Sequence, residues 1–506
     1  MRNLPPRLAL LIAGSICVGV GPASAQAPRG DQLPVREVTL GNGMRFLVLP
    51  QRGAPTVSFV TQYAVGGVNE HLGTTGIAHL LEHLLFKGTT SVGTRDHDAE
   101  VGWFARMDAV HDSLLAARGR RDADADSAAV PALESEIKAM EDSARALLVP
   151  NEFDEILSRN GARGLNATTT NESTIYYVDL PANRAELWFV LEADRMANPV
   201  FREFYTERDV VMEERLQRVD TSPGGLLYEA HLAAAFQAHP YGVPVIGWMS
   251  DVRAHTRQEV EDYYRRYYGP RNAVVAIVGD VDPDQIDGWA RKYFSRLPPG
   301  ESPPPVTMVE PEQRGERRVE VRFDAEPAVR IGWHGVDEFD PDHPALVMLS
   351  QLLTGGRTSR LYKKLVLEDR LATYLGAGLG PGDRYPGLFS IDAYPRSPHT
   401  TAELEQAVYA ELDRLMNEPP AEIELQRVRN QLEAGTVRRL ESNFGLAVQL
   451  AGSQSLFGDW RTTFLLEERL QAVTPGDIQR VVGKYLRPEN RTVATLVKTE
   501  PAAGPR

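Results

Sequence analysis

His79, Glu82 and His83 stand close together in an apolar stretch as HLLEH. On an α-helix positions i and i+4 share a face, so the two imidazoles can point at one divalent cation. Glu82 lies beside them and can reach a water on that ion. This is the inverted order of the commoner H-E-x-x-H zinc helix. A lone histidine on a helix is usually structural, but two on one face with an acid between them are hard to explain as core packing. A catalytic zinc takes three protein ligands and keeps a position open for water. With a single cysteine in 506 residues, the third ligand must be His, Asp or Glu. The segment FYTERDVVMEERLQR sets Glu207, Val210, Val211 and Glu214 on one helical stripe, with Glu213 about 100° away from it. Two carboxylates in a valine-lined stripe are costly to bury unless a cation compensates them. The other reading of the same stripe is a solvated acidic face pairing with Arg208, Arg215 or Arg218.

These side chains need rigid elements behind them. The pattern predicts a helix from Thr75 to Lys87, with Thr74 or Thr75 as N-cap, Lys87-Gly88 as the stop, and Ile77, Leu80, Leu81 and Leu84 facing the core. A strand, Thr56 to Val65, precedes it. The same order recurs later: a strand at Ala328 to Gly335, a loop with Asp340 to His343, and a helix from Pro344 to Leu353. Each part also closes on an apolar strand, Asn272 to Val278 in the first and Arg491 to Val497 in the second. Between them Leu297 to Glu316, LPPGESPPPVTMVEPEQRGE, is rich in proline and charge and reads as a linker. The chain therefore predicts two related α+β domains, 26–296 and 317–506, joined by 297–316. Residues 97–150 have no counterpart in the second part. There Val101, Phe104, Met107, His111 and Leu114 share one helical face, and Leu133, Ile137, Met140, Ala144 and Leu147 another. This predicts an inserted antiparallel helical hairpin acting as a packing or partner-contact arm. His239, His334 and His343 have no ligand-spaced partner and are read as structural, and Tyr241 to Asp251 as a packed loop.

Arg2 and Arg7, an uncharged run from Leu8 to Gly21 and the small residues Ala23-Ser24-Ala25 form an export signal over 1–25, with the mature protein expected in the periplasm. Its removal takes away Cys17, so the working chain has no thiol, as suits an oxidising compartment. No other stretch reaches membrane-spanning length. Lys+Arg 55 against Asp+Glu 69 gives a net charge of −14, which argues against a nucleic-acid-binding surface. Hydrophobic residues at 42% and charged residues at 25% are globular values.

HLLEH, then GLNATTTNESTIYYVDLP (Gly164 to Pro181), then ERDVVMEE (Glu207 to Glu214) resemble the pitrilysin/insulysin family of zinc metallopeptidases, which includes mitochondrial processing peptidase. The likeness runs over essentially the whole mature chain, including SRLYKKL in the second part. It implies two similar α+β domains forming half of a clamshell, one Zn²⁺ per chain, and endopeptidase activity on peptides or unfolded segments. Carried over residue by residue, it makes His79, His83 and Glu214 the zinc ligands, Glu82 the general base and Glu207 a support outside the ligand shell. Asn166 and Ala167 fall on the strand along which the family lays its peptide. Glu214 follows His83 by 131 residues, more than the family's usual gap, and the hairpin accounts for the excess. The family's second domain supplies a substrate-gripping arginine and tyrosine seven residues apart. Tyr374 matches the tyrosine, but Leu367 stands at the arginine's place and Arg370 is out of register. The resemblance with this gap implies a related, zinc-less partner subunit that supplies the pair, or a homodimer. The alternative is a non-catalytic or weakly active peptide-binding or assembly subunit, but relatives of that kind are expected to lack the base or a ligand.

Overall fold

The computed structural model describes residues 33–119 and 129–499; the leader read at 1–25, with Cys17, lies outside the described residues. In the first half β1 (Arg36–Thr39), β2 (Arg45–Pro50), β3 (Thr56–Tyr63), β4 (Arg163–Thr169), β5 (Thr174–Pro181) and β6 (Ala273–Gly279) form a sheet in the order β1-β2-β6-β3-β5-β4. In the second, β7 (Arg317–Phe323), β8 (Ala328–His334), β9 (Ala372–Gly380), β10 (Leu388–Pro395) and β11 (Arg491–Lys498) pair as β7-β11-β8-β10-β9. Without β1 the two orders are identical. So is the sense of each pair: β2–β6 and β7–β11 are parallel and the rest antiparallel. The chain is one α+β unit used twice. Strand β6, AVVAIVG, is buried at every position, as a continuous apolar run inside a covered sheet must be.

The helices of the first half are α1 (Ile77–Leu84), α2 (His97–Gly119), α3 (Ala129–Ala144), α4 (Glu152–Arg159), α5 (Ala185–Ala197), α6 (Phe204–Arg215), α7 (Pro223–Ala235), α8 (Met249–Ala254), α9 (Arg257–Tyr267) and α10 (Pro283–Phe294). Those of the second are α11 (His343–Thr354), α12 (Thr401–Asn417), α13 (Glu422–Leu440), α14 (Asn443–Phe457), α15 (Thr462–Ala472) and α16 (Pro475–Tyr485). Each half lends one helix to the other. Leu227 of α7 packs with Ala328, Ala494 and Leu496 on the second sheet. Leu446, Ala447, Leu450 and Ala451 of α14 pack with Val60, Ala276 and Val278 on the first. The α7 contact is so close that a Cβ at Gly332 would stand 2.5 Å from the ring of the fully buried His231. The intervening residues 298–316 form neither helix nor strand. They are tied down by Glu310, whose carboxylate accepts from the backbone N–H of Gln237, Ala238 and His239 at 2.9–3.0 Å.

Helices α2 and α3 pack side by side, and backbone bonds Arg95 N–Leu147 O (2.8 Å) and Val149 N–Gly93 O (3.1 Å) close the base of the hairpin. Met107, His111, Leu114 and Ile137 are buried, but Val101 is 50% exposed, against the face read from periodicity. The inward position in that first turn belongs to Glu100, which is buried against the Arg202 guanidinium at 3.0 Å. The start of α1 also differs from the expected cap. Its N-cap is Gly76 at φ +85°, and neither Thr74 nor Thr75 caps it. A side chain at 76 would meet Ile246 O at 2.6 Å, so the close approach of a neighbouring loop requires glycine there.

In the second half Asp342 precedes α11 and joins it to α16, accepting from Lys484 Nζ at 2.7 Å, Tyr485 OH at 2.8 Å and Arg480. Burial raises its pKa, but these hydrogen bonds outweigh that and hold it down to about 2. A carboxyl depressed from its unfolded value of about 3.9 stabilises the fold fully above that pH and ceases to do so as pH falls through the folded value. Asp342→Asn should therefore cost about 1–2 kcal/mol at pH 7. In thermal melts recorded along a pH series, the gap to wild type should close between about pH 4 and pH 2.

Candidate metal site

Helix α1 is one short amphipathic run, IAHLLEHL, with Ile77, Leu80, Leu81 and Leu84 in the core and His79 buried beside them. Because its own N-cap offers no side-chain oxygen, its entry is satisfied from elsewhere. Glu70 accepts from Gly76 N at 2.7 Å and from Ala78 N at 2.9 Å. Burial lifts the Glu70 carboxyl to about 8 even against these two donors. Asp251 accepts from Gly73 N at 3.0 Å and from the Thr75 hydroxyl at 2.7 Å. The Tyr241 to Asp251 loop, read from sequence as packed, is thus the segment that seats α1, and Arg215 of α6 grips it through Gly247 O at 2.7 Å.

Facing α1, helix α6 presents Glu207 and Glu214. Ligand atoms of His79, His83 and Glu214 all lie within 4.8 Å of one another. His79 Nε2 is 3.6 Å from Glu214 Oε1, and His83 Nε2 is 3.5 Å from Glu214 Oε2. On its far side His83 Nδ1 meets Glu207 Oε2 at 3.2 Å, and Glu207 Oε1 is held by Lys87 Nζ at 2.6 Å. A carboxylate on the outer ring nitrogen fixes the tautomer and turns Nε2 toward the cluster, as behind metal-binding histidines generally. Glu213 points elsewhere and accepts from Gln217 at 2.9 Å. Arg218, one turn beyond Glu214, reaches its Oε1 at 2.6 Å.

Burial, then the neighbouring His83, pulls His79 down to about 4, so that it is neutral at pH 7. Burial would lower His83 as well, but the Glu207 and Glu214 carboxylates outweigh it and raise His83 to about 9. For Glu207, burial works upward and the hydrogen bonds from His83 and Lys87 carry it below its ordinary value. Glu82 is raised, with burial the main cause and a hydrogen bond from Thr169 opposing it. Two imidazole nitrogens and one carboxylate converging in a half-buried cleft match in kind the three protein donors that a catalytic zinc takes. The outer nitrogen of His79, Nδ1, is buried without a hydrogen-bond partner among the described residues, unlike that of His83, which Glu207 holds. The residues fit the ion.

Glu82 sits on the same helix with its Oε2 accepting from the Thr169 hydroxyl at 2.5 Å. Thr169 ends β4, the edge strand on which Asn166 is exposed and Ala167 buried, paired with Tyr177 and Tyr176 of β5. As the last strand of its sheet β4 pairs only with β5, and at Ala167 the N–H donates to Asn166 Oδ1 at 2.9 Å while the C=O accepts from the Thr168 hydroxyl at 2.8 Å. Tyr374 lies on β9, the edge of the other sheet, 53% exposed and with its ring against Tyr394. Leu367 is 41% exposed and Arg370 takes a left-handed φ of +58° where the chain turns into β9. Thr169, Glu70, Asp251 and Lys87 are the supporting residues that sequence reasoning missed. Lys87 stands four after His83, a helical spacing that could have flagged it; Glu70 lies six residues before Gly76, outside the helix and its spacing, and Thr169 and Asp251 come from distant segments.

Two family models match the chain: "Insulinase (Peptidase family M16)" over 148–247 and "Peptidase M16 inactive domain" over 254–432. The chain is 28% identical over 519 residues to the zinc protease PqqE of Helicobacter pylori, covering 98% of this chain and 100% of that one. It is 24% identical over 478 residues to the probable mitochondrial-processing peptidase subunit beta of Arabidopsis thaliana, covering 91% of this chain and 78% of that one. Its fold is similar to the crystal structure of a protease from Helicobacter pylori, with a TM-score of 0.76, 26% identity, and coverage of 92% and 100%.

The clamp on the start of α1 is open to a direct test. Glu70→Ala strands two buried N–H groups at the head of the helix and should cost about 1–3 kcal/mol in urea unfolding. A loss below about 0.5 kcal/mol would mean that the Gly76 and Ala78 amides find water instead.

Proposed function

The chain belongs to the M16 insulinase family of peptidases, and from that premise we propose that it is a zinc-dependent endopeptidase acting on peptides or unfolded segments. The observation that carries this reading is the convergence of His79, His83 and Glu214 within 4.8 Å of one another, with Glu82 beside them. The match to an inactive domain covers 254–432, which contains none of these four residues. His79, His83 and Glu214 would hold one Zn²⁺, and Glu207 would orient His83. Zinc held there supplies Lewis acidity toward water and the peptide carbonyl. Glu82, its Oε2 fixed by Thr169, uses Oε1 to take a proton from the attacking water and to return it to the leaving amine. Its raised pKa brings it closer to the working pH than an ordinary carboxylate, which suits a group that must both accept and donate. The edge of β4 at Asn166 and Ala167 would pair with substrate backbone, giving affinity with loose sequence preference.

Glu82→Gln should lower the turnover of an unstructured peptide by about 10²–10⁴-fold while leaving zinc bound. His79→Ala should lose both. Stripping the metal with a chelator should abolish activity, and added zinc should restore it. Turnover unchanged in Glu82→Gln would overturn the mechanism.

The chain carries leucine at 367, where the family grips substrate with arginine. We propose that a related zinc-less subunit, or a second copy, supplies the missing grip, and that the protein works in the periplasm after its leader is removed. The described residues contain no helix long and apolar enough to cross a membrane. Mass measurement of the purified chain in solution should show an assembly larger than a monomer at the concentration where peptides are cut. Full activity of a monomer would exclude the partner.

A further inference from the structure

Helix α6 lacks a cap of its own. Its N-cap residue, Glu203, adopts a left-handed φ of +55° and makes no side-chain capping bond. Yet α6 carries both Glu207 and Glu214, so its placement decides whether those carboxylates meet the histidines of α1. The missing cap comes from the inserted hairpin. Glu141 of α3 accepts from Thr206 N at 3.1 Å and from the Thr206 hydroxyl at 3.0 Å, within the first turn of α6. A carboxylate there satisfies an orphan N–H and suits the positive end of the helix dipole.

Helix α2 adds contacts on either side. Asp108 accepts from Tyr205 OH at 2.7 Å and from Arg257 Nε at 3.2 Å. His111 has its ring 3.2 Å from the Arg208 guanidinium, and its Nε2 is 3.2 Å from His255 O. His255 in turn reaches Thr75 O at 3.0 Å, immediately before the Gly76 that opens α1. The hairpin thus holds Tyr205, Thr206 and Arg208, the residues around Glu207, and through His255 it touches the entry to the histidine helix as well.

A mere packing arm would be expected to close along the length of α6. Instead a groove of about 970 Å³ opens between the hairpin and α6, lined by Leu114, Ile137, Val210, Met212 and Glu213 and bordered at one end by Glu141 and Thr206 themselves. The polar contacts are concentrated on the first turn. We propose that the inserted hairpin is the positioning element of the metal site, with Glu141 the positioning residue that caps α6 and sets Glu207 and Glu214 against His79 and His83. This inference rests on the zinc reading above.

Zinc affinity, measured by competition with a chromogenic chelator on protein confirmed folded by circular dichroism, tests it. Glu141→Ala should weaken zinc by about tenfold, the lower end of what loss of supporting partners costs a metal site. Glu141→Gln, which keeps an acceptor for Thr206 N, should recover most of that loss. Arg118→Ala removes the Arg118–Glu134 pair within the hairpin without removing a hydrogen bond to α6, and should leave zinc affinity within twofold. Should Glu141→Ala fail to fold, Asp108→Asn serves in its place, with a severalfold loss expected. Zinc affinity within twofold of wild type in the folded Glu141 or Asp108 variant overturns the proposal, as does an equal loss in Arg118→Ala. A wild-type chain that takes up no zinc overturns instead the reading on which it rests.

Discussion

The site depends on one constraint: an eight-residue helix, Ile77–Leu84, must hold two imidazoles and a carboxylate in a fixed direction although it cannot terminate itself. A helix of two turns has almost as many orphan backbone groups as satisfied ones. Its N-cap is glycine, chosen because another backbone passes within van der Waals reach. The polar groups at its head are therefore met by Glu70 and Asp251, brought from outside the helix. The facing helix has the same shortcoming, and there too the cap comes from a different segment. Both carriers of the site are made rigid by residues that perform no chemistry themselves.

Electrostatics explains why these particular residues tolerate one another. Glu207 and Glu214 face two histidines in a half-buried cleft, and the buried carboxylates raise His83 while burial keeps His79 neutral. Lys87 balances Glu207 from behind. Thr169 holds Glu82 as Glu207 holds His83, by a hydrogen bond to one atom of the group from outside its helix.

The second half contains none of the cluster residues, yet it reaches the site mechanically. Glu172, in the turn that follows β4, accepts from Tyr241 OH and from the backbone N–H of Asp383 and Arg384 at 3.1 and 2.9 Å. The loop between β9 and β10 is thereby tied to the end of the strand that carries Thr169. Together with the exchange of α7 and α14 between the sheets, this makes the two halves a single unit.

The HLLEH helix, the repeated strand and helix order and the two helices within 97–150 were legible in the amino-acid order. Each is a local matter of periodicity or composition, where the geometry of a helix or strand dictates which side chains share a face. Where local reading failed, a distant residue had intervened: Glu100 took the inward place expected for Val101 because Arg202 waits across the gap, and Gly76 displaced the threonines as cap because Ile246 lies against it. The stripe from Glu207 to Glu214 could equally have been a solvated face; only tertiary packing decided that it meets α1. Glu70, Asp251, Thr169 and Glu141 are ordinary residues in sequence, between about 6 and 180 positions from the groups they hold. A hydrogen bond at that range leaves no mark on local patterning, because it exists only once the chain has folded the two segments together.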